Sequence, residues 1–387
     1  MPMKKVLIFI DWYLPGYKAG GPIKSCAQIV NHLSPFYEFK IVTRDTDINE
    51  TIPYPGVPSD QWVQRQPNEI VMYLSSKQVG IATIWRIIKE EKADVVYING
   101  LFSFFFSILP LFISVLLRTS ATNLVVCPRG MLHKGALSIK SKRKHYYLLL
   151  LKLVQLPGKI VFHASGVAEQ NEIRERFGST TTIMLASNFP NEVDQQLTTI
   201  NKQRDQAILV YLSRIHKIKN LLKTIRLLHQ VRGQIKLEVY GNVEDLAYWN
   251  ECQAEIAHLP SNVKVSYNGV ASNVEVADAI RQAHFFILLT EGENFGHSIV
   301  EALSYGRPVI ISNRTPWRNL PAQKAGWDCP LNDENSFALA LNQALAMDQL
   351  VYDQWCTGAL KYADNILSKT ELILAYQNMF DRLPKRT

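Results

Sequence analysis

The feature that most limits the fold is a repeated alternation of short apolar runs with longer helical stretches. Val6–Ile10, Phe39–Val42, Val71–Leu74, Val95–Ile98, Leu124–Cys127 and Ile160–His163 form a first series. Ile208–Leu212, Leu237–Tyr240, Val263–Tyr267, Phe285–Leu289 and Pro308–Ile311 form a second. Runs that are apolar on both faces suit parallel strands covered by helices on each side. Their alternation with helices predicts doubly wound α/β units. A polar stretch punctuated by proline, Asn188–Gln203, separates the two series as a linker would. With 387 residues the chain has room for two such domains. The expected architecture is two doubly wound parallel-sheet domains, residues 1–195 and 205–368, facing a central cleft. A last segment, 369–387, carries Leu372, Ile373, Tyr376, Met379, Phe380 and Leu383 on one helical face. It is expected to pack back on the N-terminal domain. Ligands of such sheets bind beyond the carboxyl ends of the strands, so site residues are sought in loops that follow strands.

Charge is distributed unevenly. The formal net charge is +8. From Val95 to Ala168 there is no Asp or Glu, while Arg118, Arg129, Lys134, Lys140, Lys142, Arg143, Lys144, Lys152 and Lys159 fall there. An ordinary solvated face would mix both signs. Within the same stretch, Leu101–Leu117 is uncharged and interrupted by Pro110. It reads either as a buried helix or as a helix lying in a membrane interface. Cations combined with Tyr146, Tyr147 and a leucine run suit an anionic membrane surface over residues 101–155. No nucleic-acid motif accompanies them, so no nucleic-acid partner is expected. The five cysteines are scattered, without a CxxC pair, which argues against a disulfide framework or a zinc site. The run Val6–Ile10 is shorter than the apolar core of a signal peptide.

The most informative stretch is Thr290–Leu303, TEGENFGHSIVEAL, which follows a strand and enters a helix near Gly296. Free amides at such a helix start bind phosphate. Glu293 and Glu301 frame it and suit sugar and ribose hydroxyls. Ser298 and Glu301 also match a capping box, under which Glu301 would only satisfy the helix start. Arg214, Lys217 and Lys219 follow another strand; Arg presents a planar fork to phosphate oxygens and Lys a mobile point charge. Gly20 and Gly21 follow the first strand and permit close backbone approach, though GxGxxG is absent. Arg129 falls at a strand end facing the expected cleft, with His133 nearby. Asp45-Thr-Asp47 reads as a solvated loop or, alternatively, as a holder for a divalent cation.

On these residues the chain resembles the retaining, nucleotide-sugar-dependent glycosyltransferases of family four, whose GT-B fold has two Rossmann-like domains. The resemblance rests on Glu293 to Glu301 in GENFGHSIVEAL, then on Arg214 and Lys219, with Asn220 where the family often has glycine. Weaker pieces are Gly20-Gly21, Pro128–Met131, His163–Ser165, Pro190-Asn191 and Arg307–Trp317. The resemblance implies that Arg214 and Lys219 hold the donor diphosphate and that Glu301 binds the ribose. Glu293 would bind the donor sugar, helped by the amides of Asn294, Phe295 and Gly296 beside His297. Gly20 and Gly21 would close on the phosphates. Many members carry histidine where this chain has Arg129; the Pro-Arg-Gly form is similar to that of bacterial surface-polysaccharide enzymes. The implied partners are a nucleotide-sugar donor and a glycan or lipid-linked oligosaccharide acceptor. No cofactor or metal is implied, and the implied location is the cytoplasmic face of the cell membrane. A sugar-nucleotide epimerase and a catalytically silent sugar-nucleotide or polyanion-binding protein are the alternatives.

Overall fold

A computed structural model of the chain describes residues 3–117, 122–133, 137, 141–190, 200–366 and 369–382. Arg118, Lys134, Lys140, Asn191, Leu383 and most of the expected linker lie outside the described residues. The chain divides into two compact units, Met1–Phe189 with Lys369–Thr387, and Pro190–Ser368.

The first unit is built on β1 (Lys4–Phe9), β2 (Tyr37–Arg44), β3 (Trp62–Gln66), β4 (Glu69–Leu74), β5 (Val95–Asn99), β6 (Asn123–Cys127), β7 (Val161–Ala164) and β8 (Ile183–Leu185). Their order in the sheet is β3-β4-β2-β1-β5-β6-β7-β8. All neighbours run parallel except the edge strand β3, which is antiparallel to β4. Its sequence, WVQRQ, has no apolar run because an edge strand buries little. Period two divides β1 between two cores. Val6, Ile8 and Ile10 face helix α1 (Gly21–Leu33), and Leu7 and Phe9 lie in the core with α2 (Ile81–Glu91).

The apolar run 101–117 does not form one helix. Phe104–Ile108 is a π-helix, and α3 (Leu109–Leu117) follows. Pro110 has no N–H for the α-helical ladder, so the turn before it is held by wider bonds such as Ile108 N to Ser103 O, 2.8 Å. Phe106, Leu111 and Ile113 are buried. Among the described residues no helix is long and apolar enough to cross a membrane. Next come α4 (Ser141–Leu153) and α5 (Val167–Phe177). On α4, Leu148 and Leu151 are buried, whereas Tyr146 and Leu153 are 69% and 72% exposed.

The second unit holds β9 (Gln206–Leu212), β10 (Gln234–Tyr240), β11 (Val263–Tyr267), β12 (Phe285–Leu288), β13 (Val309–Ser312) and β14 (Gly326–Cys329). Its order is β11-β10-β9-β12-β13-β14, all parallel. The helices are α6 (Leu221–Leu228), α7 (Leu246–Ile256), α8 (Asn273–Gln282), α9 (His297–Ser304), α10 (Glu334–Ala346) and α11 (Gln349–Ile366). The terminal helix α12 (Lys369–Phe380) belongs to the first unit. Its Tyr376, Met379 and Phe380 join the core beneath α1, and Asn123 Nδ2 donates to the Met379 carbonyl at 2.8 Å.

Asp45 and Asp47 are neither solvated nor gathered for a cation. Both are buried. Asp47 accepts from the amides of Tyr17, Lys18 and Ile48, and Asp45 from Ser59 Oγ. Asp47 thus pins the loop that leads into Gly20. Among the described residues no three His, Cys, Asp or Glu side chains gather as metal ligands.

Candidate functional site

In the second unit the loop after β12 is stitched to the turn after β9. Glu291 N donates to Ile218 O at 2.8 Å, and Thr290 Oγ1 to the same carbonyl at 3.3 Å. Asn220 Nδ2 donates to Leu289 O at 2.8 Å. Asn220 has φ 54, a left-handed backbone open to glycine and asparagine but costly for most residues. That explains how asparagine stands where glycine is frequent. These ties bring Lys219 and Glu293 together: Lys219 Nζ donates to Glu293 Oε1 at 2.5 Å, with side chains 11% and 17% exposed.

The loop ends at Gly296, whose φ of 76 makes it the cap of α9. A side chain there would also press on Ile299 Cδ1, 2.9 Å from an added Cβ. This cap corrects the capping-box reading. The helix starts two residues before Ser298 would cap it, so Ser298 lies inside the first turn and Glu301 is a buried residue in the helix body. The amides of a helix's first turn point out of its N-terminal end; in α9 the Ile299 amide donates to the Gly296 carbonyl at 2.9 Å. Phe295 is buried against Trp317, ring centroids 5.2 Å apart, and Trp317 Nε1 donates to the Phe295 carbonyl at 2.5 Å. His297 packs on Phe295 at 4.7 Å. Asn294 Nδ2 is buried without a hydrogen-bond partner.

Arg214 stands further out. Its Nη1 reaches both carboxylate oxygens of Glu244, at 2.9 and 2.7 Å, and its side chain is half exposed. Glu244 follows β10, and its signal is invisible in the Arg214 stretch itself. Gly241 makes the approach possible: a Cβ there would lie 1.9 Å from the Ser213 carbonyl. A cavity of about 430 Å³, lined by Lys217, Lys223, Arg226, Tyr248 and Phe337, opens among α6, α7 and α10. It meets this site at the Lys217–Asn220 turn and at Leu289.

In the first unit Gly20, φ 69, caps α1 and Gly21 begins it. Arg129, also left-handed at φ 54, is committed to its own domain. Its Nε, Nη1 and Nη2 donate to Asn99 Oδ1 (2.6 Å), Asn188 Oδ1 (2.5 Å) and Tyr97 OH (3.0 Å). The Tyr97 hydroxyl lies 2.7 Å from His163 Nδ1, and His163 Nε2 lies 2.8 Å from the Ala186 carbonyl. Burial first, and the Arg129 charge second, push His163 down to about 3. The ring is therefore neutral, donating from Nε2 and accepting from Tyr97. Buried Glu169 accepts from Gly130 N, Ser165 N and Ser165 Oγ and fixes the loop that carries Arg129. His133 donates its amide to Gly130 O in that loop. Sequence reasoning passed over Glu169, Asn188 and Glu244, because single polar residues outside a motif carry no local signal.

Residues 193–355 match the family model "Glycosyl transferases group 1". The matched stretch covers most of the second unit, Pro190–Ser368. No curated protein matches the chain by sequence. Among solved structures, the chain is similar to sucrose-phosphate synthase from Thermosynechococcus elongatus, with 16% identity, TM-score 0.70 and 98% of each chain covered. It is similar to Anabaena HepE in complex with UDP and glucose, at 14% identity and TM-score 0.68, covering 98% of this chain and 99% of that one. WaaG, a glycosyltransferase involved in lipopolysaccharide biosynthesis, matches at 13% identity and TM-score 0.65, covering 97% and 99%. At these identities the likeness shows the fold, GT-B with two Rossmann-like domains. In the second unit, Lys219, Glu293 and the start of α9 lie together at the carboxyl edge, beside the point between β9 and β12 where the strand order reverses.

Proposed function

We propose that the protein is a retaining glycosyltransferase that moves a sugar from a nucleoside-diphosphate sugar to a glycan acceptor. The observation that carries this reading is the Lys219–Glu293 pair beside the α9 start, in the stretch matched by the group 1 family model. Breaking the bond from the anomeric carbon to the diphosphate leaves negative charge on the phosphate oxygen. Lys219, Arg214 and the amides of residues 296–298 stabilise that charge where it develops, and no metal is needed for it. The diphosphate draws Lys219 and Arg214 from their carboxylate partners. Glu293 then turns to the donor sugar hydroxyls and Glu301 to the ribose. In front-face transfer the acceptor oxygen bonds to the anomeric carbon on the side the phosphate leaves, and the acceptor proton passes to the departing oxygen. Retention follows without an enzymic nucleophile, so Arg129 in place of histidine is compatible with activity.

The C-terminal domain takes the donor and the N-terminal domain the acceptor. The acceptor is a lipid-linked glycan of a bacterial surface polysaccharide, reached from the cytoplasmic face of the membrane. The acid-free basic segment supports this, as does the face of α4, where Tyr146, Leu149, Leu150 and Leu153 are exposed beside exposed Lys142 and Arg143. HepE bound to UDP and glucose is a fold relative in keeping with such a donor.

Thermal shift against UDP-, GDP-, ADP- and CDP-sugars, with and without EDTA, tests the donor half. One selective, EDTA-insensitive shift, lost in Glu301→Ala and Arg214→Ala, is expected. No shift with any donor counts against it. Reversing Lys140, Lys142, Arg143 and Lys144 to Glu is expected to weaken binding to anionic liposomes; unchanged binding defeats the membrane half.

A further inference from the structure

The donor chemistry gives Glu244 no task, yet the fold holds it against one of that site's two cations. The turn after β9 and the loop after β10 are zipped together by their backbones. Ser213 N donates to Tyr240 O at 3.1 Å and Ile215 N to Asn242 O at 2.8 Å, while Glu244 N and Asp245 N both return to Ile215 O, at 3.2 and 3.3 Å. Ile215 and Val243 form a parallel bridge, and Ile215 is fully buried. The neighbouring acid, Asp245, is spent on capping α7, where it accepts from Tyr248 N at 3.0 Å. Arg214 and Glu244 therefore stem from fixed backbone, and their meeting is built into the fold.

The contact uses only part of the guanidinium. Arg214 Nη1 reaches both Glu244 oxygens, at 2.9 and 2.7 Å. Among the described residues no contact falls on Nε or Nη2. The edge that offers two parallel N–H groups to phosphate oxygens is thus open. The Arg214 side chain is 54% exposed and that of Glu244 28%. A phosphate can engage the open edge before Glu244 lets go, so the guanidinium is never left without an anion. Lys219 and Glu293 repeat the arrangement, and two cations facing two carboxylates balance the charge before any ligand arrives. Once displaced, Glu293 has the donor sugar to bind; Glu244 has nothing. Arg129 shows the other way to hold an arginine: its three acceptors are all uncharged. A neutral acceptor orients a guanidinium; a carboxylate also opposes any anion that comes to it.

We propose that Glu244 competes with the diphosphate for Arg214 and so holds down the affinity for nucleoside diphosphates, which lets the spent nucleotide leave. This rests on the donor reading above. The spent nucleotide ends in a free phosphate where the donor had a sugar ester, and at neutral pH that phosphate gains negative charge. The two cations therefore hold it at least as strongly as they held the donor. The return of Glu244 to Arg214 offsets that attraction. An exposed ion pair is worth a factor of about two to five in affinity, which sets the size of the effect.

The test titrates full-length protein calorimetrically with UDP, GDP, ADP and CDP. Glu244→Gln keeps a neutral acceptor for Nη1 and removes the charge. It is expected to bind the preferred diphosphate about two- to fivefold more tightly than wild type, with the gain shrinking as salt is raised. Glu244→Ala is expected to shift affinity in the same direction, and it decides should Glu244→Gln not fold. In the Arg214→Ala background, Glu244→Gln is expected to change nothing, because the contested cation is gone. Equal or weaker binding in Glu244→Gln makes Glu244 an orienting group or a bystander and overturns the proposal. A gain that survives Arg214→Ala overturns it as well. In both cases diphosphate binding by wild type leaves the donor reading standing. Binding of none of the four, by wild type or by Glu244→Gln, overturns the donor reading and this proposal with it.

Discussion

Arg129 and Arg214 both follow a strand at the carboxyl edge of a parallel sheet, yet they are held in opposite ways. Arg129 spends three guanidinium nitrogens on Asn99, Asn188 and Tyr97, inside a network that continues to His163 and the Ala186 carbonyl. Arg214 is half exposed and holds one carboxylate, Glu244. A buried network fixes geometry, because every lost bond leaves a desolvated group unpaired. An exposed pair is worth little and can exchange its partner for a ligand. The contrast assigns framework to the first edge around Arg129 and exchangeable charge to the edge around Arg214. Lys219–Glu293 lies between the two extremes, enclosed yet made of one ion pair.

The sharpest way to break this contrast is Arg129→Ala. It strands buried acceptors and is expected to lower the unfolding free energy by roughly 3 kcal/mol. Denaturant unfolding checks it; a loss below about 1 kcal/mol would make Arg129 a ligand group rather than a framework one. Lys219→Ala is expected to weaken nucleotide-sugar binding ~10- to 100-fold, about 1.4–2.8 kcal/mol, as a charged hydrogen bond to phosphate is lost. Calorimetric titration reads this directly.

His163 supplies a pH test of the same network. Its folded value of about 3 lies below the ordinary one, so the unfolded chain binds the extra proton first. Its contribution is fully present above about pH 6.5 and is lost as pH falls toward about 3, by up to roughly 1.4 kcal/mol per pH unit. Unfolding midpoints measured across that window should flatten in His163→Gln. The smallest effect belongs to Arg214→Ala, expected to change stability by less than about 1 kcal/mol while weakening donor binding. A larger stability loss would move Arg214 into the framework class.

Much of the sheet architecture was readable from local pattern. Parallel strands buried on both faces must be apolar throughout, as Val6–Ile10 and Phe285–Leu289 are. The strands that escaped, β3, β8 and β14, are short and lie at sheet edges; β3 and β8 bury little, and neither WVQRQ nor GWDC carries such a run. Local pattern also misled. Ser298 and Glu301 have capping-box spacing, but the left-handed Gly296 ends the loop earlier and places both inside the helix. Asp45 and Asp47 looked solvated because acids usually are. Burial became tolerable only when the Tyr17, Lys18 and Ile48 amides and Ser59 converged on them.

The sequence by itself determined the fold class and the residue types available for chemistry. Those depend on period, composition and short motifs, which are local properties of a chain. It drew attention to Lys219 and Glu293 separately. Tertiary structure decided which charges are partners, since Lys219 and Glu293 are 74 positions apart and Arg214 and Glu244 are 30 apart. It also decided which groups are desolvated. Whether an arginine is framework or ligand depends on how many acceptors surround it and how much water remains, and neither quantity exists until strands from distant parts of the chain lie side by side.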